Sequence, residues 1–312
     1  MRSCQKKRSS IITRLTNKVK DYGKLEVNMD QICNEFHISR QAHYQQQRRD
    51  QEKQIKQEKI LHLVQEVRSQ HPRMGTRKVL DKITPEITTN GLKIGRDGLF
   101  DLLRDQKMLV YPRKSRRRTT IPGLYRTPNL LPGMIVSQPN QVWVGDITFI
   151  DVEVERFVFL FLLMDLYSRF IIGWHVASSL SAEGAIQSLR MALRFQKHSI
   201  KHLIHHSDHG SQYTSSAYMK ILLDHEVRPS MGAIGNCYDN IFAERVLGTL
   251  KNEYLLGDRF VNYQQVTRAT KQIIHLYNTD RPHLSLNGAT PIDVYFDKCI
   301  QLPPLLIPEE VS

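Results

Sequence analysis

Apolar residues recur at helical spacing through the first hundred residues of the chain. Met29, Ile32, Cys33 and Phe36 follow the three-and-four spacing of one helix face. Ser39 is suited to cap a second helix that begins with Arg40. Helix, short break and a helix rich in Arg and Gln are the outline of a helix-turn-helix. A small helical hairpin with a hydrated basic face fits the same pattern, so both interpretations stay open.

The helical pattern continues to about residue 108. An apolar stripe predicts a long helix across residues 51–70, formed by Ile60, Leu61, Val64 and Val67. Two shorter helices follow, at TRKVLDKI and at GRDGLFDLLRDQKM, and the second of these should face inward through Leu99, Leu102 and Leu103. This second helical group resembles another helix-turn-helix unit.

Between residues 121 and 139 the periodic pattern stops. Four prolines and two glycines in this stretch prevent a helix from propagating, which predicts an extended linker. We therefore predict a helix-turn-helix-like region at 1–50, a second helical DNA-binding region with a basic tail at 51–120, the linker at 121–139, a core at 140–298 and a tail at 299–312.

Beyond residue 140, apolar runs of strand length come first and helical segments follow. The runs QVWVGDITFIDV, RFVFLFLLMDLY and SRFIIGWHVA predict three strands, and helix and strand then alternate up to a helix that contains Glu244. This order is typical of a ribonuclease-H-like fold. We predict an α/β fold class, a mixed sheet flanked by helices and preceded by an all-α region.

The net charge of +13 is confined to the front of the chain. Residues 1–120 carry 28 Lys and Arg against 13 Asp and Glu, whereas residues 121–312 carry 16 against 18. Solvated basic helices are one explanation, and a polyanion-binding front region joined to a nearly neutral core is the one we prefer. The densest basic run could follow a phosphate backbone, through Arg113, Lys114, Arg116, Arg117 and Arg118.

Other features of the composition exclude several classes of protein. No apolar run approaches the roughly 20 residues that span a bilayer, and the charged N-terminus does not lead into a signal-peptide core. We expect a cytoplasmic protein without a membrane partner, associated with the nucleoid when it is bound to DNA. The four cysteines (Cys4, Cys33, Cys237 and Cys299) form no CxxC pair, which argues against a disulfide framework and a cysteine-rich zinc module.

Three carboxylates stand where two strands and a helix could bring them together. Asp208 closes an apolar run, and Glu244 follows 36 positions later within a helical pattern. Asp146 lies in the first predicted strand, on the face opposite to Asp151 by the two-residue period. Such a set can hold a divalent metal beside a phosphate, although an arginine such as Arg169 could instead neutralise Asp146.

The helix that contains Glu244 also carries a base on the same face. At 100° per residue, Lys251 lies about 20° from Glu244 and Gly248 about 40° away, so the glycine leaves open space between acid and base. Asp239 lies roughly 140° from Glu244 and is better explained as a cap or a first-turn acid. Glu244 is therefore the third acid that we select.

Two rival sites involve the residues around Asp208. His202, His205, His206 and His209 could bind zinc, but His205 and His206 point to opposite faces of a strand. Ser207 beside them suggests a hydrolase triad, yet no GxSxG elbow surrounds it. Neither rival accounts for the acids as well as a metal site.

Several ordered motifs resemble the integrase core of OrfB-type transposases from the IS-three family of bacterial insertion sequences. The motifs are W-x-x-D-I-T (143–148), MDLYSR-x-I-x-GW (164–174), HSD-x-GSQY (206–213), GN-C-YDN (235–240), A-E…LK-x-E (243–253) and YN-x-x-RPH-x-x-L-x-x-x-TP (277–291). The segment HPRMGTRKV resembles the second helix-turn-helix of that family. The resemblance is densest from residue 140 to 291, and SMGAIGN departs from the family's usual wording before GN.

The resemblance implies that Asp146, Asp208 and Glu244 are the catalytic DDE triad and the ligands of two Mg²⁺ or Mn²⁺ ions. In this class of chemistry one ion activates water or a 3′-hydroxyl and the other stabilises the leaving oxygen. Lys251 would then contact DNA next to the triad. Arg40 and the basic run would contribute to DNA binding by the front region.

The implied function is a transposase that cleaves at the ends of its element and joins the 3′-hydroxyl strands to DNA. Its expected partners are double-stranded DNA (terminal inverted repeats and target), further copies of the chain on that DNA, and an upstream OrfA-type protein or a frameshift fusion with one. A DNA-binding regulator with an inactive core and a ribonuclease-H-like nuclease are the alternatives.

Overall fold

The computed structural model describes residues 11–13, 29–111, 127–195, 200–232, 241–254, 256–297, 299–300 and 302–309. The basic run at 113–118, Asp239, Cys4 and Cys237 lie outside these residues. The chain divides into two compact units, one formed by Met1–Glu66 with Pro85–Ile94 and the other by Val67–Thr84 with Gly95–Ser312. The domain boundaries drawn from the sequence stay predictions.

The first unit is helical, as predicted. Helix α1 (Met29–Glu35) is followed by a short turn and by α2 (Arg40–Gln70), which runs through residue 50 without a break. The hydroxyl of Ser39 accepts the backbone N–H of Ala42 at 3.1 Å, which confirms the predicted cap. None of the helices in the described part of the chain is long and apolar enough to cross a membrane.

The second unit contains the remaining helices and all the described strands. In chain order they are α3 (Thr76–Thr89, of which the part up to Thr84 belongs here), α4 (Arg96–Asp105), β1 (Ile135–Val136), β2 (Val142–Asp151), β3 (Phe157–Asp165), β4 (Ile171–Ala177), α5 (Ala182–Phe195), β5 (Ile204–Ser207), α6 (Ser216–Asp224), β6 (Arg228–Met231), α7 (Ile241–Glu253), α8 (Tyr263–Thr279), a 3₁₀ turn (Leu284–Leu286), α9 (Pro291–Phe296) and β7 (Leu305–Leu306). Helix α4 buries Leu99, Leu102 and Leu103, as the sequence predicted.

Five strands form one mixed sheet in the order β4-β3-β2-β5-β6. Strands β2, β3 and β4 are antiparallel neighbours, and β5 and β6 run parallel to β2. With helices on both faces, this is the mixed sheet predicted as ribonuclease-H-like, and the predicted fold class is confirmed. Strand β5 pairs with β2 only at residues 142–144, so within the described residues β2 has no strand partner on that side beyond Val144.

The two faces of the sheet bury different helices. Val144 and Ile150 of β2 pack with helices α7 and α8, whereas Trp143 packs on the other face with helices α5 and α6. This alternation confirms the predicted phase of β2. Asp146 shares the face of Val144 and Ile150, because residues two apart on a strand point to the same side.

Parts of the predicted linker and of the predicted tail pack in the second unit. Leu131 is buried, and the N–H of Met231 donates to the carbonyl of Pro128 at 3.3 Å. Strand β1 pairs antiparallel with β7. Both strands are only two residues long, so no alternating pattern could reveal them.

Candidate active site

Asp146 of β2 and Asp208, which follows β5, lie opposite one another in the register of these two strands. In the parallel pairing of β2 with β5, Val142 faces Ile204 and Val144 faces His206. Continuing that register by two residues brings Asp208 opposite Asp146, and both side chains then project from the face that α7 covers. The strand phase and the position of Asp208 after an apolar run predicted from the sequence that these two carboxylates lie close together.

Backbone N–H groups orient both carboxylates. Asp146 accepts the N–H of Ile147 at 2.8 Å, and Asp208 accepts the N–H of Gly210 at 3.0 Å. A Cβ atom at Gly210 would lie 2.9 Å from Oδ1 of Asp208 and 3.0 Å from Oε1 of Gln212. The loop can therefore fold onto the Asp208 carboxylate because residue 210 has no side chain.

Helix α7 brings the third acid to the same face. Its buried side consists of Ala243, Val246, Leu247 and Leu250, and Glu244 stands exposed beside this side. Burial, together with the negative charges of Asp208 and Glu244, raises the pKa of Asp146 to about 8, while the Ile147 N–H opposes this rise. At neutral pH the metal-free site therefore favours a proton on Asp146.

The donor set suits a hard divalent cation. Carboxylate oxygens are the ligands that Mg²⁺ and Mn²⁺ prefer, and a dication would offset the repulsion that raises the pKa of Asp146. Within the described residues, no three His, Cys, Asp or Glu side chains are already close enough together to hold an ion. The three acids are thus electrostatic neighbours whose charges act on one another.

Lys251 reaches the same region from the last turns of α7. Its Nζ lies 4.5 Å from the centre of the Phe149 ring, a cation–π contact. Burial lowers the pKa of Lys251, whereas the charges of Asp151 and Asp146 raise it. The nearest atom to a Cβ built on Gly248 is Nδ2 of Asn252, 4.0 Å away, so the predicted open space on this helix face is confirmed.

The charge of Arg169 acts on a different acid, Asp165, from the one considered in the sequence. Asp165 is fully buried and accepts the N–H of Asn140 and both the N–H and the hydroxyl of Ser168. Burial raises the pKa of Asp165, and the charge of Arg169 opposes this. Asp146 has no ion pair with an arginine among the described residues, so the arginine explanation for Asp146 is wrong.

The histidines are packed as structural residues. His205 is buried with its Nε2 2.7 Å from the hydroxyl of Tyr218, and burial lowers its pKa to about 4. His206 points to the other face, where its Nδ1 lies 2.9 Å from the hydroxyl of Ser230. Ser207 donates to the carbonyl of Asp208 at 3.0 Å. Neither the zinc site nor the hydrolase triad gains support from these contacts.

Two aromatic residues next to the acids were missed at the sequence level. Tyr213 is buried, and its pKa is raised by burial, by Tyr218 and by the charges of Asp146 and Asp208. Phe149 lies under the ammonium of Lys251. Tyr213 stands within the motif HSDHGSQY, which was a usable signal, whereas Phe149 looked like any other strand residue.

Of the remaining predicted DNA contacts, Arg40 alone lies among the residues that the structure describes. Arg40 begins α2 at the surface of the first unit, with its Nη1 3.5 Å from Oδ2 of Asp30 and its guanidinium 5.7 Å from the ring centre of Tyr44. Arg113, Lys114, Arg116, Arg117 and Arg118 lie outside the described residues. Their roles stay predictions.

Comparisons with known sequences point to one family of proteins. A family profile described as integrase core domain matches residues 136–237, and a second profile with the same description matches residues 225–291. A protein of insertion element IS600 from Shigella sonnei, described as an uncharacterized 31 kDa protein, is 33% identical over 267 residues, which are 83% of this chain and 96% of that protein.

Further relatives carry a more specific description. Transposase InsF of insertion sequence IS3A from Escherichia coli strain K12 is 37% identical over 172 residues, which are 54% of this chain and 59% of InsF. The alignment thus spans less than two thirds of InsF.

Solved structures with similarity to this chain include two retroviral proteins. The HTLV-2 integrase catalytic core domain in complex with magnesium has 19% identity and a TM-score of 0.39, covering 51% of this chain and 97% of that one. A chain of the simian T-cell lymphotropic virus intasome in complex with the PP2A regulatory subunit B56 gamma has 17% identity and a TM-score of 0.44, covering 79% of each. The family relationship rests on the sequence relatives.

Proposed function

Because this chain belongs to the IS-three family of insertion-sequence transposases with an integrase core, we propose that it cleaves DNA at the ends of its element and joins the 3′-hydroxyl strands to target DNA. One observation carries the assignment of the site. Asp146 lies in β2, Asp208 directly follows the neighbouring strand β5 and Glu244 lies in α7, and the charges of the other two acids help to raise the pKa of Asp146 to about 8. Clustered acids with a strongly shifted pKa are typical of functional sites, because their repulsion costs folding free energy.

Integrase core domains depend on a divalent metal. Asp146, Asp208 and Glu244 are the residues that would hold it, and we propose Mg²⁺ or Mn²⁺, with two ions per site. When bound, such ions lower the pKa of a nucleophilic water or 3′-hydroxyl and stabilise the leaving oxygen during in-line displacement at phosphorus.

The protein's own residues prepare this site in defined ways. Asp146 must release its proton before its carboxylate can act as a ligand, since the metal-free pKa is about 8. The N–H groups of Ile147 and Gly210 fix the orientation of two of the carboxylates. Lys251 supplies a point charge for a DNA phosphate, and the absent side chain at Gly248 leaves room for that strand.

Members of this family bind DNA and assemble on it as oligomers. For this chain we propose double-stranded DNA at the terminal inverted repeats and at the target, several copies of the chain on that DNA, and an upstream OrfA-type partner or fusion. Arg40 and the basic run (Arg113, Lys114, Arg116, Arg117 and Arg118) would contact the DNA backbone.

The test is to compare Asp208→Asn and Glu244→Gln with Asp224→Asn, which removes an exposed acid at the end of α6. The substrate is a duplex carrying the inverted repeat that flanks the coding sequence, with Mn²⁺ or Mg²⁺. Cleavage and joining should vanish in the first two variants and persist in the control, while end binding in a gel shift stays within about threefold in all three. Full activity in either triad variant would remove the assignment. A wild-type gel shift without nicking in either metal would favour the regulator instead.

A further inference from the structure

The C-terminal end of α7 is held by side chains from distant parts of the chain. Glu253, its last residue, accepts two hydrogen bonds from Arg281, from Nε at 2.9 Å and from Nη2 at 3.0 Å. Lys78 donates to the same carboxylate at 3.0 Å. The backbone is bound as well, because the N–H of Arg73 donates to the carbonyl of Glu253 at 3.0 Å.

A second set of contacts lies beside the first. His71 is 1% exposed and contacts the hydroxyl of Tyr254 through Nδ1 at 2.9 Å. Its Nε2 lies within hydrogen-bond distance of Asp280, which also accepts from Lys82. The residue that follows α7 is therefore tied to the end of α8 through one histidine.

The guanidinium of Arg281 has a single possible orientation in this network. It is 5% exposed, and Nη1 donates to Nε2 of His283 at 2.8 Å. Burial and the charges of Arg281 and Lys78 lower the pKa of His283 to about 2, so His283 is a neutral acceptor. Burial works to raise the pKa of Glu253, but Arg281 and Lys78 outweigh it and lower that pKa.

Buried ion pairs of this kind add little net stability, because the desolvation of both charges offsets their attraction. They do define geometry, since a bidentate pair between arginine and a carboxylate fixes both distance and plane. The side chains that α7 buries in the core are apolar (Ala243, Val246, Leu247 and Leu250), and their contacts are less directional. The charged end is thus the part of α7 that can set its rotation and its position along the axis.

We propose that Glu253 and Arg281 are positioning residues, which hold α7 so that Glu244 and Lys251 stand correctly at the acid site. This inference rests on the proposed function. Glu253 follows Glu244 by nine residues, about 13 Å along the helix axis. A rotation of α7 by about 10° would move a side chain at its surface by about 1 Å, a displacement that can cost about 100-fold in rate.

The proposal gives a physical role to two motifs that the acid triad does not explain. Arg281 and His283 belong to the signature YN-x-x-RPH, and His71, Arg73 and Lys78 belong to the segment HPRMGTRKV. That segment was assigned to a DNA-binding region from the sequence. In the structure the whole segment belongs to the second unit, where Arg73 and Lys78 bind the end of the helix that bears Glu244.

The test compares Glu253→Gln with Lys82→Met in the full-length protein. The first variant keeps the shape of the side chain and removes the charge that pairs with Arg281. The second breaks a neighbouring, more exposed ion pair, that of Lys82 with Asp280, neither member of which belongs to α7. Two quantities are measured, the Mn²⁺ concentration at half-saturation in a calorimetric titration without DNA, and the Mn²⁺-dependent nicking rate at saturating metal on the inverted-repeat duplex.

We expect the Mn²⁺ half-saturation to rise at least tenfold and the nicking rate to fall about 10- to 100-fold in Glu253→Gln. In Lys82→Met both should stay within about twofold of wild type. Arg281→Lys keeps the positive charge but loses the bidentate geometry, and it should raise the half-saturation about three- to tenfold. If Glu253→Gln does not fold, the Mn²⁺ half-saturation of Arg281→Lys tests the proposal in its place.

Unchanged Mn²⁺ half-saturation in folded Glu253→Gln or Arg281→Lys would overturn the proposal, as would an equal change in Lys82→Met. Asp208→Asn in the same titration separates this failure from a failure of the acid site. If Asp208→Asn loses the Mn²⁺ response while the two end variants keep it, only the positioning role is wrong. If Asp208→Asn keeps the response, the assignment of the acids is wrong.

Discussion

Replacing Asp146 by asparagine should stabilise the metal-free protein, although it should abolish catalysis. The Asp146 carboxyl has an ordinary pKa of 3.8 and a pKa of about 8 in the folded chain, because of burial and of the charges of Asp208 and Glu244. The folded state therefore holds this proton more tightly than the unfolded state does. Its contribution destabilises the fold increasingly as pH rises from 3.8 to about 8, and asparagine removes it.

The size of the effect follows from the two pKa values. Each pH unit above 3.8 costs about 1.4 kcal/mol, which gives about 4 kcal/mol at pH 7. Because the Asp146 side chain remains partly exposed to water, we take half of this, about 2 kcal/mol at pH 7. The same calculation gives about 1 kcal/mol at pH 5 and about 3 kcal/mol at pH 8.5. For a chain of this size, 2 kcal/mol corresponds to about 4 °C in melting temperature.

The assay is a thermal melt in EDTA at pH 5, 7 and 8.5, repeated with Mn²⁺. Asp151→Asn is the matched control, since Asp151 ends the same strand but is exposed. Asp146→Asn should melt above wild type by a margin that grows with pH, and it should lose the Mn²⁺-induced rise that wild type has. The electrostatic reasoning would be refuted if Asp146→Asn melted below wild type at every pH. It would also be refuted if the difference in melting temperature did not change with pH.

Three further predictions concern the same site. Because Mn²⁺ competes with the proton of Asp146, the half-saturating Mn²⁺ concentration in a calorimetric titration should fall about eightfold from pH 7 to pH 8.5; a constant value would contradict the raised pKa. Lys251→Gln should slow strand joining about tenfold and reduce the salt dependence of DNA binding by about one ion, with the Mn²⁺ response unchanged as its control. Gly248→Ala should stabilise α7 by up to about 1 kcal/mol and yet slow joining if DNA fills the space beside it. Gly184→Ala provides the contrast, because its Cβ would overlap the Phe161 ring and should lower the free energy of unfolding by about 1–3 kcal/mol. The melting temperatures of the two glycine variants measure this difference.

Periodicity was sufficient for the local parts of the site. The two-residue period of β2 placed Asp146 with Val144 and Ile150, and burial of these neighbours confirms that phase. The 3.6-residue period of α7 placed Lys251 on the face of Glu244 and identified the open position at Gly248. These features depend only on neighbouring residues, so sequence is enough to predict them.

Contacts between distant residues were beyond the reach of any periodic pattern. Lys78 and Glu253 are separated by 175 positions, and nothing in either segment identifies the other as its partner. Arg169 illustrates the same difficulty at short range. Its charge suits any buried acid, and the hairpin turn between β3 and β4, rather than the composition, decides that it accompanies Asp165.

The division of the chain limits how it can be cut into working pieces. The second unit is discontinuous in sequence, because Val67–Thr84 belongs to it while Pro85–Ile94 returns to the first unit. A fragment that starts after the Pro-rich stretch would keep every acid of the triad, yet it would leave Glu253 without Lys78 and Asp280 without His71 and Lys82. The same contacts restrict chimaeras of two relatives that are joined at the Pro-rich stretch. In such a chimaera, residues 71–82 would come from one protein, and α7 and α8, which they must fit, would come from the other.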